Sequence, residues 1–251
     1  MKINTTGLIL SEKTIGENDK LVCVLTADKG VLRCFVRGAK SFKNHNNSAV
    51  QSLCYSRLSI FEGREKYIID EAVPIRIFYE LRRDLESLSL AQYLSELAMY
   101  MVPENSESSE PLSLLLNSLH MIAGSRRPPL MIKAVYEMRI LTLTGFMPNL
   151  IYCDKCGCYE AEQMYYIQGE NKLICQNCCT ARDERYLSVS RPVLLAMRHS
   201  IFAEPKKIFS FRLSEQAVRS FADTAETILL YVTERQFNSL QFFKTIVNGL
   251  L

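Results

Sequence analysis

The sequence predicts an α+β, multi-domain chain: an N-terminal five-stranded β-barrel, then a helical domain with a four-cysteine metal module inserted into it. Three observations carry this reading. Short runs rich in Val, Ile, Leu and aromatic residues, separated by turn formers, fill roughly the first 75 residues. Near residue 76 the apolar period lengthens to that of a helix. After residue 150 two Cys-x-x-Cys pairs interrupt the helical pattern. The implied domains are 1–75 (barrel), 76–150 (helical), 151–185 (metal module) and 186–251 (helical, packing with 76–150).

The β-like region runs from Thr5 to about Pro74. LVCVLTA (21–27), VLRCFVRG (31–38), LCYSRLSIF (53–61) and KYIIDEAV (66–73) are strand-like, with turns at GEND (16–19), ADKG (27–30) and NHNNS (44–48). About five strands in 70 residues fit a small closed barrel, which leaves no open sheet edge; the oligonucleotide-binding (OB) barrel is the expected type. Cys23, Cys34 and Cys54 lie in apolar runs and read as small core residues.

In the next region Ile77, Leu81, Leu85, Leu88, Tyr93, Leu97 and Met101 share one helical face, and Pro103 ends it. A second helix is expected near Leu112–Ala123 and a third near Met131–Thr144, with Gly145 at its C-terminal end. Beyond the cysteines, Ser190 with Pro192 marks one helix start and Ser214 another. Ala217, Phe221, Ala225, Ile228, Leu229 and Val232 form the stripe of the latter, and such stripes ordinarily face a core.

Cys153-x2-Cys156 and Cys175-x2-Cys178 are separated by 18 residues, a recurrent zinc spacing. Two residues between thiolates let one tight turn aim both sulfurs at an ion about 2.3 Å away, and two such turns complete a tetrahedron. The intervening MYYIQGENKLI reads as two strand pieces around Gly169 and Asn171, a zinc ribbon or knuckle. Four cysteines would close the coordination shell, so one structural Zn²⁺ is expected rather than a catalytic one. Cys158 and Cys179 stand beside the pairs and leave open a replacement of one assigned ligand.

The 251 residues carry a net charge of only +3, so a polyanion-binding signal has to be local. Residues 1–70 hold eleven Lys/Arg against seven Asp/Glu, and from Lys29 to Phe61 there are six basic residues and no acidic one. In VLRCFVR, strand alternation puts Leu32, Cys34 and Val36 on one face and Arg33, Phe35 and Arg37 on the other. An aromatic between two arginines stacks a base while the guanidinia meet phosphates, the combination used by single-strand binders. The following GAKSFKNHNNS adds Lys40 and Lys43. The plainer alternative makes Phe35 a core residue and the arginines a solvated edge.

No Gly-rich phosphate loop ending in Gly-Lys-Ser/Thr occurs, no paired-carboxylate site stands out, and the zinc-deaminase pattern is absent, so an enzyme is not expected. No signal-peptide pattern or apolar run of membrane-spanning length occurs, which implies a cytoplasmic protein without a membrane role, nucleoid-associated through the DNA-binding reading.

Three stretches make the chain resemble the RecO family of bacterial recombination mediators: GLILSEKTIGENDKLVCVLTADKGVLRCFVRGAKS (7–41), GFMPNLIYCDKCG (145–157) and LICQNCC (173–179). The resemblance covers most of the chain, in family order. It implies an OB-fold, a helical remainder and a zinc module. It also implies single-stranded DNA binding, strand annealing in DNA repair, and help in placing the RecA recombinase on DNA coated with single-strand-binding protein. The implied partners are a RecR-like protein and the acidic, apolar C-terminal tail of the single-strand-binding protein. Arg37 and Lys40 match the family's basic strand end and loop; Arg33, Phe35 and Lys43 follow from the local pattern alone. Ile15 stands where an aromatic is common before Gly-Glu. For the tail, a basic, apolar groove using Lys133 or Arg139 is expected. The competing expectation is a zinc-ribbon adaptor of the transcription type that meets proteins rather than DNA.

Overall fold

Five strands close a barrel at the N-terminus: β1 (Lys2–Ile15), β2 (Asp19–Thr26), β3 (Gly30–Val36), β4 (Cys54–Glu62) and β5 (Tyr67–Ile77), in the order β1-β2-β3-β5-β4. The computed structural model describes residues 1–38, 47–64, 66–180 and 184–249. β1 is long because it serves two neighbours. Its first half pairs with β4, from Lys2↔Phe61 to Leu8↔Tyr55, and its second half with β2, from Gly7↔Thr26 to Ile15↔Asp19. A register shift between Ile9 and Ser11 bends the strand from one half to the other, as bulges do in barrels. Short parallel pairing of β3 with β5 (Cys34↔Tyr67, Phe35↔Ile68) closes the ring.

Alternation fills the interior with Val22, Val24, Leu32, Cys34, Val36, Leu58 and Ile60, and Ala49 and Val50 are buried in the same cluster. Burial pushes the Cys34 thiol up to about 12. Cys54 is buried as expected, but Cys23 is not: with Val22 and Val24 pointing inward, pleating turns Cys23 to the half-exposed outer face. Gly30 has φ +65°, and a Cβ there would stand 1.9 Å from the Pro103 carbonyl oxygen. The turn after β2 therefore requires glycine on both conformational and steric grounds.

The barrel runs into a single 3-10 turn (Tyr79–Arg82) and then α1 (Leu85–Met101). Ile77 thus belongs to β5 and Leu81 to the turn, not to the long helix that the apolar spacing implies. Asp84 sets the boundary. Its carboxylate accepts from the Ser87 N–H at 2.8 Å and the Glu86 N–H at 3.4 Å, and the Ser87 hydroxyl first, and then these N–H groups, hold its carboxyl below the usual range. α2 (Ser109–Ala123) and α3 (Pro129–Leu143) follow, and Gly145 at φ +89° ends the latter's exit. A three-stranded antiparallel sheet comprises β6 (Gln163–Ile167), β7 (Lys172–Cys175) and β8 (Tyr186–Ser190) in the order β7-β6-β8. α4 (Arg191–Phe202), α5 (Glu215–Thr233) and α6 (Asn238–Val247) complete the chain. The Ser214 hydroxyl accepts from the Ala217 N–H at the start of α5, as its position in the sequence implies.

The chain forms two units, Met1–Arg126 with Phe237–Leu251, and Arg127–Gln236. In the first, α6 returns to α1: Tyr93 and Tyr100 meet the Phe237 ring edge-on at 6.1 and 5.6 Å, and Phe237, Leu240 and Phe243 are fully buried. In the second, α3 is covered by α4 and α5 and is buried nearly all round.

Candidate nucleic-acid interface and metal site

Across the outer face of β1, β2 and β3 the register aligns Lys13, Leu21 and Phe35 in one row and Ser11, Cys23 and Arg33 in the next. Ile68 continues the first row on β5. Lys13, Arg33 and Arg37 are exposed; Leu21, Phe35 and Ile68 are half-buried. Leu32, Cys34 and Val36 are buried, as alternation requires. Phe35 therefore lies against aliphatic neighbours with part of its ring in solvent, rather than in the core. Among the described residues neither Lys13 nor Arg33 forms an ion pair, whereas Lys20 is held by Glu12 at 2.6 Å. The Gly38 N–H donates to the Asp19 carboxylate at 2.9 Å and pins the strand end beside Arg37. Lys40 and Lys43 lie outside the described residues.

The four assigned cysteines converge. The Sγ atoms of Cys153, Cys156, Cys175 and Cys178 all lie within 4.8 Å of one another, and those of Cys156 and Cys175 are 3.7 Å apart. Sulfurs about 2.3 Å from a tetrahedral ion stand about 3.8 Å apart, so the set fits an ion of that kind. Local backbone builds the site. In the first turn the Gly157 N–H donates to the Cys153 carbonyl and the Cys153 N–H to the Cys158 carbonyl, each at 2.8 Å. Gly157 has φ +72°. In the second, the N–H groups of Cys178 and Cys179 both donate to the Cys175 carbonyl at 3.0 Å. The β6–β7 hairpin joins them, turning at left-handed Asn171 (φ +50°), whose side-chain oxygen accepts from the Tyr166 hydroxyl at 2.9 Å.

Peptide N–H groups aimed at sulfur prepare the cluster for a cation. Burial alone would push the Cys153 thiol up, but N–H donors from Cys175, Cys156 and Lys155 outweigh it and bring it down to about 6. Cys175 moves down against its burial, chiefly through the Cys178 N–H. Cys178, donating to Cys156 and Cys175, is pushed up to about 12. A divalent ion bound between the four sulfurs would displace their protons.

Of the two residues expected to line a basic groove, Lys133 is withdrawn from the surface, while Arg139 is half-buried. Lys133 is 1% exposed, and its ammonium lies 2.9 Å from Glu137 and 2.8 Å from Glu226. Arg139 turns its guanidinium to the Ile201 carbonyl. The reason is that α3 is the central helix of its unit, so even its polar positions point at neighbours. A different groove, of about 550 Å³, runs along α4 and the segment before α5, where Arg191, Leu195, His199, Phe211, Arg212 and Leu213 line it.

Residues 1–78 match the family model described as "Recombination protein O N terminal", and residues 82–241 the one described as "Recombination protein O C terminal". The chain belongs to the recombination protein O family. Among similar relatives is the DNA repair protein RecO of Acetivibrio thermocellus, 29% identical over 244 residues, 97% of each chain. Those of Symbiobacterium thermophilum and Alkaliphilus metalliredigens are 27% and 26% identical, covering 97% and 98% of this chain and 97% and 100% of theirs. The family membership agrees with the barrel, the helical remainder and the cysteine cluster. Among the described residues no helix is long and apolar enough to cross a membrane.

Sequence reasoning missed Lys13, Leu21 and Ile68, because cross-strand neighbours become visible only once the register is known. It also missed the α4 groove, whose lining comes from two separated segments.

Proposed function

We propose that the chain serves DNA repair by holding single-stranded DNA along the outer face of β1, β2 and β3. The observation that carries this is the outer face on which half-buried Phe35, in one row with Lys13 and beside Arg33 of the next row, stands with two exposed cations that form no ion pair among the described residues. The half-exposed ring offers a stacking face, a contact worth about 1–3 kcal/mol per base, and the cations meet phosphates. Arg37 carries the cations to the end of β3, and Lys40 and Lys43 follow it in the sequence. Annealing needs no bond chemistry: a cationic surface lowers the repulsion between two strands, and a strand held in this way is available to a RecA-class recombinase.

In this reading Cys153, Cys156, Cys175 and Cys178 hold one structural Zn²⁺. Its role is to fix the two cysteine turns to each other, and a closed four-sulfur shell leaves no position for a substrate. Partners are a RecR-like protein and the acidic, apolar tail of the single-strand-binding protein. The α4 groove suits that tail better than buried Lys133, since Arg212, with Arg191 in an exposed pair with Glu160, stands beside Leu195, Phe211 and Leu213.

The test is fluorescence anisotropy of a labelled single-stranded oligonucleotide across a salt series. Log affinity should fall linearly with log salt, and Arg33→Glu should reduce the slope by about 0.7 or more, the share of one phosphate contact on a single strand. An unchanged slope and affinity would refute this surface. Loss of all oligonucleotide binding at low salt by the wild-type chain would favour the protein-adaptor reading instead.

A further inference from the structure

Acids on a surface that meets a polyanion need a reason. Three stand around the turn from β1 to β2: Glu12, Glu17 and Asp19. Each weakens the field that Lys13, Arg33 and Arg37 present to phosphates. Glu17 is exposed, and among the described residues its carboxylate forms no ion pair. The other two are half-buried and committed to the chain that follows β3. Glu12 accepts from the Ser52 N–H at 3.1 Å and from Lys20 at 2.6 Å, and Lys20 reaches on to the Asn47 side-chain oxygen at 3.5 Å. Asp19 accepts from the Gly38 N–H at 2.9 Å. The first two residues of β2 thus hold Gly38 and Asn47, which stand on either side of 39–46.

Gly38 matters because of what precedes it. The β2–β3 ladder ends at Lys20↔Val36, and β3 last meets β5 at Phe35↔Ile68. Arg37 comes next. It is exposed, and alternation places it on the outer face with Arg33 and Phe35. Gly38 then turns at φ +61°, in the left-handed region, where the chain leaves the strand direction. Arg37 therefore stands between the last ladder pair and a turn, and the Asp19 carboxylate ties that turn back to β2. A carboxylate accepting a peptide N–H is a charge-assisted bond, stronger than a neutral one.

We propose that Asp19 is a positioning residue for single-stranded DNA: by fixing the Gly38 turn it sets the backbone from which Arg37 meets a phosphate. The inference rests on the DNA reading given above. A guanidinium whose backbone is fixed in advance loses less freedom on binding than one that the DNA itself must order. An acid is kept on a cationic face because its geometric effect outweighs what its charge takes away. Were Asp19 a charge and nothing more, removing it would strengthen binding.

Two substitutions in one turn separate geometry from charge. Asp19→Ala and Glu17→Ala each remove one carboxylate, two positions apart. In fluorescence anisotropy with a labelled single-stranded oligonucleotide, Glu17→Ala should bind at or slightly above wild-type affinity. Asp19→Ala should bind about three- to tenfold more weakly at low salt, with a salt slope shallower by up to about 0.7, one phosphate contact. Asp19→Asn keeps the acceptor oxygen without the charge and should recover at least wild-type affinity. In an Arg37→Ala background, Asp19→Ala should have little further effect, because both act through one contact. A barrel that had merely lost its fold would weaken binding in that background too. Equal or tighter binding by Asp19→Ala, failure of Asp19→Asn to recover, or the same loss with and without Arg37 would overturn the proposal. Failure of the wild-type chain to bind would sink the DNA reading itself, and this role with it.

Discussion

Replacing Lys133 by methionine tests how the unit built from Arg127–Gln236 is held together. The ammonium is 1% exposed and is shared between Glu137, whose side chain is fully buried, and Glu226, at 12% exposure. Desolvation would push Lys133 down, but the two carboxylates prevail and raise it. Methionine keeps the length of the side chain and removes the cation that both carboxylates share, leaving two buried or nearly buried acids without it. Removing one partner of a buried ion pair costs about 3–5 kcal/mol, and with two carboxylates left behind the upper half of that range is expected. The cost depends on pH. Once the cation is gone, burial and mutual repulsion raise the carboxyl pKa values in the folded state. A group whose folded pKa is raised stabilises below its unfolded value and loses that contribution as pH rises. The variant should therefore be closest to wild type near pH 5 and furthest from it near pH 8. Adding Glu137→Met should recover most of the loss, because Glu226 alone reaches solvent. The assay is urea unfolding of both variants at the two pH values, followed through tyrosine fluorescence. A Lys133→Met variant within about 1 kcal/mol of wild type at pH 8 would refute the account, since that is the size of an exposed pair.

Three further outcomes follow from the geometry. Gly30→Ala should destabilise the barrel unit by about 3 kcal/mol or more, because the left-handed φ costs about 1–2 kcal/mol and the Pro103 carbonyl must also move; thermal unfolding checks it. Phe35→Ala should weaken oligonucleotide binding about five- to 150-fold, the equivalent of one stacked base, while Phe35→Tyr should bind nearly as wild type in the anisotropy titration. Stripping zinc with a chelator, or lowering pH until the thiolates protonate, should increase hydrogen exchange in 151–180 and leave strands β1–β5 protected.

The cysteine cluster was legible because its signal is local: two turns and a hairpin bring the four sulfurs together within 26 residues, Cys153 to Cys178. The barrel was legible for a similar reason, since alternation in VLRCFVR decides which of Leu32, Arg33, Cys34 and Phe35 face inward without knowledge of the partner strand. Non-local facts were not readable. Ile77 and Leu81 share a helical spacing with the real α1 residues, and only the Asp84 cap reveals where the helix begins. Lys133 looks like a surface cation until Glu226, 93 positions later, is brought against it. β8 carries too weak an alternation in YLSVS to be recognised before it pairs with β6. A stripe such as that of α6 announces a buried face but not which helix covers it, and α1 proved to be its neighbour.

The discontinuous composition of the barrel unit imposes an order on biogenesis. Every residue of the Arg127–Gln236 unit leaves the ribosome before Phe237, Leu240 and Phe243 exist to seal α1. The central unit is contiguous and can complete itself on the nascent chain, whereas the barrel unit, although begun earlier, waits with the apolar side of α1 uncovered until the segment from Phe237 to Phe243 has been made. Whatever shields Tyr93 and its neighbours during that interval governs how much protein matures.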